Sequence, residues 1–214
     1  MNKTIINTYN PKEEKLNIYS HFLGIILSTI GLILLLNKSI LKGDKILMIS
    51  YAVFGISMIT LYLASTLYHS ATDTQKRMRL KIFDHSAIYV LIAGSYTPYT
   101  LVTLKDNNGI IVFAIVWIFA LIGLIIKFFF TGKFKLISTL MYVFMGWMIV
   151  FTWTDLKNNL SEEGLNFLIA GGISYTIGAI LYSIKKIPFN HAIFHLFVLI
   201  GTFFHFLSIY LHIN

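Results

Sequence analysis

The stretch from Ile110 to Phe130 reads IIVFAIVWIFALIGLIIKFFF and contains a single charged residue, Lys127. A helix needs roughly 20 mostly apolar residues to cross the hydrocarbon core of a bilayer, and this stretch is long enough to do so. Polar turn-forming segments, Lys105–Gly109 and Thr131–Lys133, bound it on both sides. The stretch therefore predicts a transmembrane helix.

Six further apolar stretches are separated from one another by short polar or basic segments. They are about Leu16–Leu36, Ile46–Tyr68, Ile82–Leu104, Phe134–Trp153, Leu165–Ile184 and Phe189–Ile213. Because they leave room only for short loops, the sequence predicts an all-α, polytopic membrane protein built as a seven-transmembrane-helix bundle. Residues 1–15 form a predicted cytoplasmic N-terminal segment, and residues 16–213 form the predicted membrane domain.

The composition supports a membrane domain and excludes several classes of function. The chain has 57% hydrophobic and 12% charged residues, whereas soluble domains carry about 25% charged residues. Its net charge of +8 comes from short basic clusters between apolar stretches, which is typical of cytoplasmic loops near anionic lipid and not of a nucleic-acid-binding surface. The absence of cysteine excludes disulfides, thiolate metal sites and a cysteine nucleophile.

The distribution of cations between alternate loops predicts the orientation in the membrane. The N-terminal segment and the second, fourth and sixth loops hold twelve of the 17 lysines and arginines, and the remaining loops hold five. Since cytoplasmic loops carry the excess of positive charge, we expect the N-terminus in the cytoplasm and the C-terminus outside. This interpretation gives a multi-pass protein of the plasma membrane, with membrane lipids as its partners.

Four ionisable side chains fall inside or at the ends of the predicted spans. His69 ends the second span, Asp84 begins the third, and His191 and His195 lie in the first turns of the seventh. An ionisable group inside a span costs roughly 2.5–3.5 kcal/mol on insertion scales, so each one needs a reason to be there. The predicted topology places all four near the cytoplasmic face at a similar depth.

The spacing of these residues favours a metal site. His191 and His195 are four positions apart, which places both imidazoles on one helical face, as in zinc sites built on helices. His69 would add a third ligand from another helix, and Ser65 lies four residues before it on the same face. Three protein ligands with an open fourth position are typical of catalytic zinc, whereas structural zinc usually has four.

Simpler interpretations of these residues stay open. A histidine near the membrane interface is often only an interfacial polar residue. Asp84 alone can cap its helix or pair with a neighbouring cation. His85 lies about 100° around the helix from Asp84 and is not expected to share its site. His21 and His205 are expected to be polar groups in helix packing and not ligands.

Three motifs carry a resemblance to a known family. They are STLYH at residues 65–69, DHSAIYVLIAGSYTP at 84–98 and HAIFH at 191–195, followed by His205-Phe206. In this order and in these spans they resemble the bacterial hemolysin III proteins. These are the prokaryotic branch of the progestin and adipoQ receptor family, which includes the adiponectin receptors. The resemblance covers about Leu16 to Ile209 and shows no departure at the motif positions.

The resemblance implies a seven-helix bundle with its N-terminus inside and Zn²⁺ near the cytoplasmic side. By motif match, His69, His191 and His195 would be the zinc ligands, and Ser65 and Asp84 would hold or activate a water molecule at the zinc. The family is also similar to the alkaline ceramidases in its site chemistry, which implies a hydrolase of lipid amides or esters.

Three functions are compatible with these observations. The first is a zinc-dependent hydrolase of membrane lipids, in which Asp84 accepts a proton from water. The second is a non-catalytic membrane-homeostasis or receptor-like protein, in which zinc joins the second and seventh spans. The third is the cytolytic activity that the family name suggests, but the chain is too hydrophobic to travel as a soluble toxin and lacks the strand pattern of secreted barrel formers. Asp84 and Ser65 beside three histidines favour the enzyme.

Overall fold

The computed structural model describes residues 9–130 and 135–214, and in these ranges the chain is mostly helical and contains no strand. The all-α prediction is therefore confirmed. The elements are α1 (Pro11–Lys42), α2 (Lys45–Ser70), α3 (Thr74–Pro98) with a π-helical turn (Tyr99–Thr103), α4 (Gly109–Phe130), α5 (Lys135–Trp147) with a 3₁₀ turn (Met148–Thr152), α6 (Trp153–Asn159), α7 (Glu162–Ser183) and α8 (Asn190–His212).

Six helical stretches of the described chain are long and apolar enough to cross a membrane. They are α1, α2, α4, the stretch Leu136–Asn159 through α5 and α6, α7 and α8. In α4, the buried positions are Gly109, Val116, Ala120, Gly123 and Lys127. They form one narrow stripe at helical spacing, while most of the other side chains are exposed on the outside of the bundle. This is the pattern of a helix that faces lipid on most of its circumference.

α3 and the π-helical turn cover the predicted third span, Ile82–Leu104, and α3 is not among these six because it is more polar. Its first turns carry Lys76, Arg77, Arg79 and Lys81, which lower its average hydrophobicity. The helix packs against both α2 and α4, and its buried face includes Asp84. α3 therefore packs as a further helix of the bundle and brings ionisable groups into it.

α1 begins at Pro11, five residues before the predicted start of the first span at Leu16. Asn10 caps the helix because its side chain accepts the Lys12 amide at 2.9 Å, and proline is favoured in the first turn. Residues 1–8 of the predicted cytoplasmic segment lie outside the described residues, as do Lys3 and Lys133 of the charge count.

The predicted fifth span, Phe134–Trp153, is not one continuous α-helix, and its first residue lies outside the described part of the chain. The Tyr96 hydroxyl of α3 interrupts the backbone hydrogen bonds of this helix between Gly146 and Ile149. It accepts the Ile149 amide at 2.8 Å and approaches the Gly146 carbonyl at 2.8 Å. A side chain inserted into the ladder breaks a helix, and the chain continues as the 3₁₀ turn Met148–Thr152.

The two chain ends lie at opposite ends of the bundle. At one end, the Glu13 carboxylate of α1 accepts the His191 amide of α8 at 3.1 Å. At the other, Tyr51 near the start of α2 donates to the Ile213 carbonyl at 2.7 Å, and Lys38 near the end of α1 donates to it at 3.0 Å. A chain that runs from end to end of the bundle an odd number of times has its two termini at opposite ends. We call the end that holds Glu13 and His191 the site end.

The orientation of the bundle stays a prediction, and the lack of cysteine makes it simple to test. Both Thr74 and Asn214 are exposed, at the site end and at the opposite end. A cysteine at Asn214 should react with an impermeant thiol reagent in intact cells, and a cysteine at Thr74 should react only after lysis. The reverse labelling pattern would place the site end outside and contradict the charge argument.

Candidate metal centre

The histidine cluster, defined as His69, His191 and His195, lies buried at the site end. One ligand atom from each histidine lies within 4.8 Å of those of the other two. The Nε2 atom of His191 is 3.1 Å from the Nε2 atoms of both His69 and His195. All three rings are almost completely buried, with no more than 5% of each residue exposed. The structure thus brings together the three histidines that the sequence predicted to meet.

Hydrogen bonds at the far side of two rings fix which nitrogen faces the centre of the cluster. His69 Nδ1 lies 2.8 Å from Glu14 Oε2, and His195 Nδ1 lies 3.3 Å from the Asn17 carbonyl oxygen. A carboxylate or a carbonyl can only accept, so Nδ1 carries the proton in both rings. Their Nε2 atoms therefore present lone pairs toward His191, which is the arrangement of histidines that bind a metal.

Glu14 is itself held in place by Arg77 of α3. The Arg77 guanidinium donates to Glu14 Oε1 and to the Ala71 carbonyl at 3.1 Å, and it lies 4.9 Å from the centre of the Tyr68 ring. The relay from Arg77 through Glu14 to His69 joins α3, α1 and α2. It orients one histidine of the cluster in the way that outer carboxylates orient metal ligands.

His191 is positioned by its backbone and by ring stacking. Phe189 precedes α8 in the left-handed region with φ 57° and provides no side-chain cap. The Glu13 carboxylate takes that role by accepting the His191 amide, and a negative charge also stabilises the start of a helix. The His191 ring stacks on Tyr9 with ring centres 4.7 Å apart.

The geometry and chemistry of the histidine cluster fit a metal ion. Three nitrogens bound tetrahedrally to zinc are roughly 3.3 Å apart, which follows from Zn–N bonds near 2.0–2.1 Å. The observed separation is 3.1 Å on both sides of His191. Two of the three nitrogens present lone pairs to the same point, and Nδ1 of His191 is buried with no hydrogen-bond partner in the described residues. A buried group of this kind can hold a metal ion.

Ser65 and Asp84 are the predicted partners of the metal. Ser65 lies one helical turn from the cluster, and Asp84 lies on the wall of the cavity. Ser65 Oγ, one helical turn before His69, is fully buried and finds no hydrogen-bond partner among the described residues. Such a hydroxyl is available to a ligand. Asp84 lines the same cavity as His191 and His195 but does not belong to the group of converging ligand atoms. This position fits a group beside the metal and not a ligand.

The expectation that His85 lies apart from Asp84 is wrong. His85 Nδ1 is 3.4 Å from Asp84 Oδ2 and 2.9 Å from the Lys81 carbonyl, and both residues line the same cavity. Adjacent residues diverge by about 100° around a helix, but the long imidazole turns back along α3 toward the preceding turn. Tyr142 of α5 holds this segment by donating to the His85 carbonyl at 2.9 Å.

His21 and His205 stand outside the group of converging ligand atoms, as expected. The His21 ring stacks on His195 with ring centres 3.6 Å apart and planes 7° apart, so it packs directly behind a predicted ligand. His205 contacts Tyr175 edge to face at 5.3 Å. His205 follows His195 by ten residues on α8, which is about 15 Å along the helix axis.

Sequence reasoning missed the contribution of α1 to the site. Glu13, Asn17 and His21 are spaced by four residues and are all buried. Each of them contacts the histidine cluster. The signal was present as a polar stripe on the N-terminal half of an otherwise apolar helix. It was hidden because Glu13 and Glu14 sit in a charged segment that resembles a solvent-exposed terminus.

A cavity leads from the histidine cluster into the bundle. Its volume is about 180 Å³. Its polar lining residues include His191, His195 and Asp84, and its mainly apolar inner wall includes Leu91, Val143, Ile149, Leu168 and Val198. The walls come mainly from α3, α5, α7 and α8. An apolar space that ends at a polar site can accept an acyl chain.

Comparison with known proteins supports the resemblance drawn from the three motifs. Residues 9–206 match the family described as Haemolysin-III related. The chain is 46% identical to Hemolysin-3 of Bacillus cereus over 191 residues, which is 89% of this chain and 87% of that protein. It is also 46% identical to the Hemolysin-3 homolog of Bacillus subtilis (strain 168), over 89% of this chain and 90% of that protein.

A more distant relative is eukaryotic. The chain is 28% identical to the Monocyte to macrophage differentiation factor of Homo sapiens over 206 residues, which is 92% of this chain and 83% of that protein. The matches to both the bacterial and the human proteins run along nearly the whole membrane domain.

Proposed function

The chain belongs to the haemolysin-III related family of membrane proteins, and from that premise we propose that it is a zinc-dependent hydrolase of membrane-lipid amides or esters. The observation that carries the proposal is the position of the histidine cluster at the polar end of an apolar cavity. The site would lie near the cytoplasmic face of the plasma membrane. An acyl chain would fill the cavity, and its carbonyl group would lie near His191, His195 and Asp84.

His69, His191 and His195 would hold the zinc ion, which leaves one position open on the cavity side. A bound zinc ion makes water a stronger nucleophile at neutral pH and polarises a carbonyl oxygen. A site with three protein ligands would suit catalysis, whereas a structural zinc site usually has four. The buried Ser65 hydroxyl and the Asp84 carboxylate are the chain's own groups that can orient a water molecule there.

Asp84 would act as the general base. It takes one proton from the attacking water as the new C–O bond forms at the carbonyl carbon, and it returns that proton to the leaving amine or alkoxide as the old bond breaks. The products are a fatty acid and the free amine or alcohol. His85 Nδ1 lies beside this carboxylate, 3.4 Å from Asp84 Oδ2, and donates to the Lys81 carbonyl at 2.9 Å.

A non-catalytic role is the alternative. The histidine cluster joins α2 to α8, and the start of α1 packs against both through Glu13 and Glu14. A metal there would fasten α2 to α8, as expected of a sensor or receptor-like protein. The names of the Bacillus relatives also suggest cytolysis, but that activity gives no account of a buried histidine cluster at the end of an apolar cavity.

Release of fatty acid is the direct test. Purified protein loaded with zinc should release fatty acid from a mixed membrane-lipid extract, with the products identified by mass spectrometry. Removal of the metal with a chelator should stop the release, and added zinc should restore it. Zinc without protein is the control. Release that continues unchanged after chelation would contradict the role of the metal, and no release from any lipid class would contradict hydrolysis.

A further inference from the structure

Two lysines are buried in the wall of the cavity at the site end. Lys81 of α3 and Lys127 of α4 are each only 3% exposed, and both line the cavity together with Asp84. Lys127 is close enough to interact electrostatically with both Lys81 and Asp84. Neither lysine takes part in the hydrolysis described above.

The charges on the cavity wall do not balance. Among the described residues, Asp84 is the one carboxylate on the lining, and it stands against two lysines. Lys127 also lies 5.5 Å from the centre of the Tyr142 ring. The described lining therefore carries more cationic than anionic side chains.

Both lysines lie toward the site end of the cavity, where a lipid that entered the bundle would keep its headgroup. Lys127 lies in the last turn of α4 that the structure describes. The cavity runs inward from this level to apolar side chains such as Val198. A lipid with its chain in the cavity would thus place its polar headgroup beside the lysines and its acyl carbonyl next to Asp84.

We propose that Lys81 and Lys127 form an anion subsite that binds the phosphate of a phosphorylated acyl lipid. A phosphate group offers several acceptor oxygens and a charge of about −1 to −2, so it can engage two ammonium groups at once. The placement of the acyl carbonyl rests on the proposed function, whereas binding of the phosphate does not. The inference narrows the substrate class from acyl lipids in general to those with a phosphate near the acyl linkage.

Binding of an uncleavable lipid pair tests the subsite. The probes are a monoalkyl glycerol ether with a brominated chain and its phosphate monoester, which differ only in the phosphate and contain no acyl ester or amide bond. Trp147 and Trp153 line the cavity, so quenching of tryptophan fluorescence reports occupancy. In uncharged detergent, the phosphorylated probe should bind roughly tenfold or more tightly than the neutral one, as expected for charge-assisted hydrogen bonds.

Four variants separate the subsite from general attraction to the positive site end. Lys127→Met and Lys81→Met should each remove most of the preference for the phosphorylated probe, and Lys127→Arg should keep it because the charge is kept. Lys186→Met is the matched control, since Lys186 is exposed in the loop before α8 and lies outside the cavity. Its preference should equal that of the unaltered protein.

Three outcomes would overturn the proposal. They are equal affinity for the two probes in the unaltered protein, a preference that survives both methionine variants, and displacement of the phosphorylated probe by inorganic phosphate at equal concentration. The last result would identify a site for free phosphate and not for a lipid headgroup. Because the ether probes contain no acyl bond, absence of lipase or amidase activity leaves this test unaffected.

Discussion

Replacing His191 and His195 together with alanine is expected to abolish metal binding. The purified protein should carry about one zinc per chain, because three nitrogens converge on one position. The double variant keeps only His69, and a single buried imidazole cannot retain the ion against solvent and buffer. Elemental analysis of the purified proteins measures the difference directly. Undiminished zinc in the double variant would show that the histidine cluster is not the metal site.

His205→Ala is the matched control for this experiment. His205 lies on the same helix α8 and lines the same cavity, but it stands outside the histidine cluster. Its loss removes one buried imidazole without touching the three nitrogens. The zinc content should therefore stay at about one. Loss of zinc in both variants would indicate a general disturbance of α8.

Glu14→Gln is expected to weaken metal binding without abolishing it. Glutamine keeps the size of the side chain, but it loses the charge that orients His69 and pairs with Arg77. Substitution of such outer groups typically weakens metal binding by about 10–100-fold. Glu163→Gln is the control, since Glu163 lies at the opposite end of the bundle near His212. Equal zinc affinities in the two variants would remove Glu14 from the metal centre.

Asp84→Asn is expected to separate metal binding from catalysis. Asparagine keeps the size and the hydrogen-bonding ability of the side chain, but it cannot accept the proton of an attacking water. Because Asp84 is not among the converging ligand atoms, zinc should be retained. Fatty-acid release should fall by about 10²–10⁴-fold, the usual contribution of a positioned general base.

The non-catalytic alternative predicts a different outcome for the same variant. A neutral amide relieves the cost of a carboxylate inside the membrane, so stability should hold or rise and the cellular phenotype should survive. The measurements are zinc content, melting temperature, fatty-acid release and complementation of a deletion strain. Asp106→Asn serves as the control, because Asp106 is exposed in the loop between α3 and α4. Full complementation by zinc-loaded Asp84→Asn protein would contradict catalysis.

The sequence by itself determined the fold class and the nucleus of the site. A run such as Ile110–Phe130 can bury its backbone polar groups in lipid only as a helix, so its fold depends on local composition. The pairing of His191 with His195 is equally local, since the helical period places them on one face. The count of spans also located His69 at the same depth as that pair.

Only the tertiary structure decided which side chains surround the histidines. The contacts of Glu14 with His69 and of Asn17 with His195 join residues far apart in the chain, and they depend on how α1 slides and rotates against α2 and α8. Helix packing between apolar faces has several registers of similar hydrophobic content, so composition alone does not select one.

Contacts between helices also explain the break in the fifth span and the proximity of Lys81 to Lys127. The residues from Met148 to Thr152 could continue an α-helix, but the Tyr96 hydroxyl of another helix takes the Ile149 amide. Lys127 falls in a span that looks wholly lipid-facing by composition, and the rotation of α4 turns it toward Lys81 and Asp84. Local sequence periodicity determines which residues form helices, whereas packing between helices determines which side chains surround the histidine cluster and the cavity.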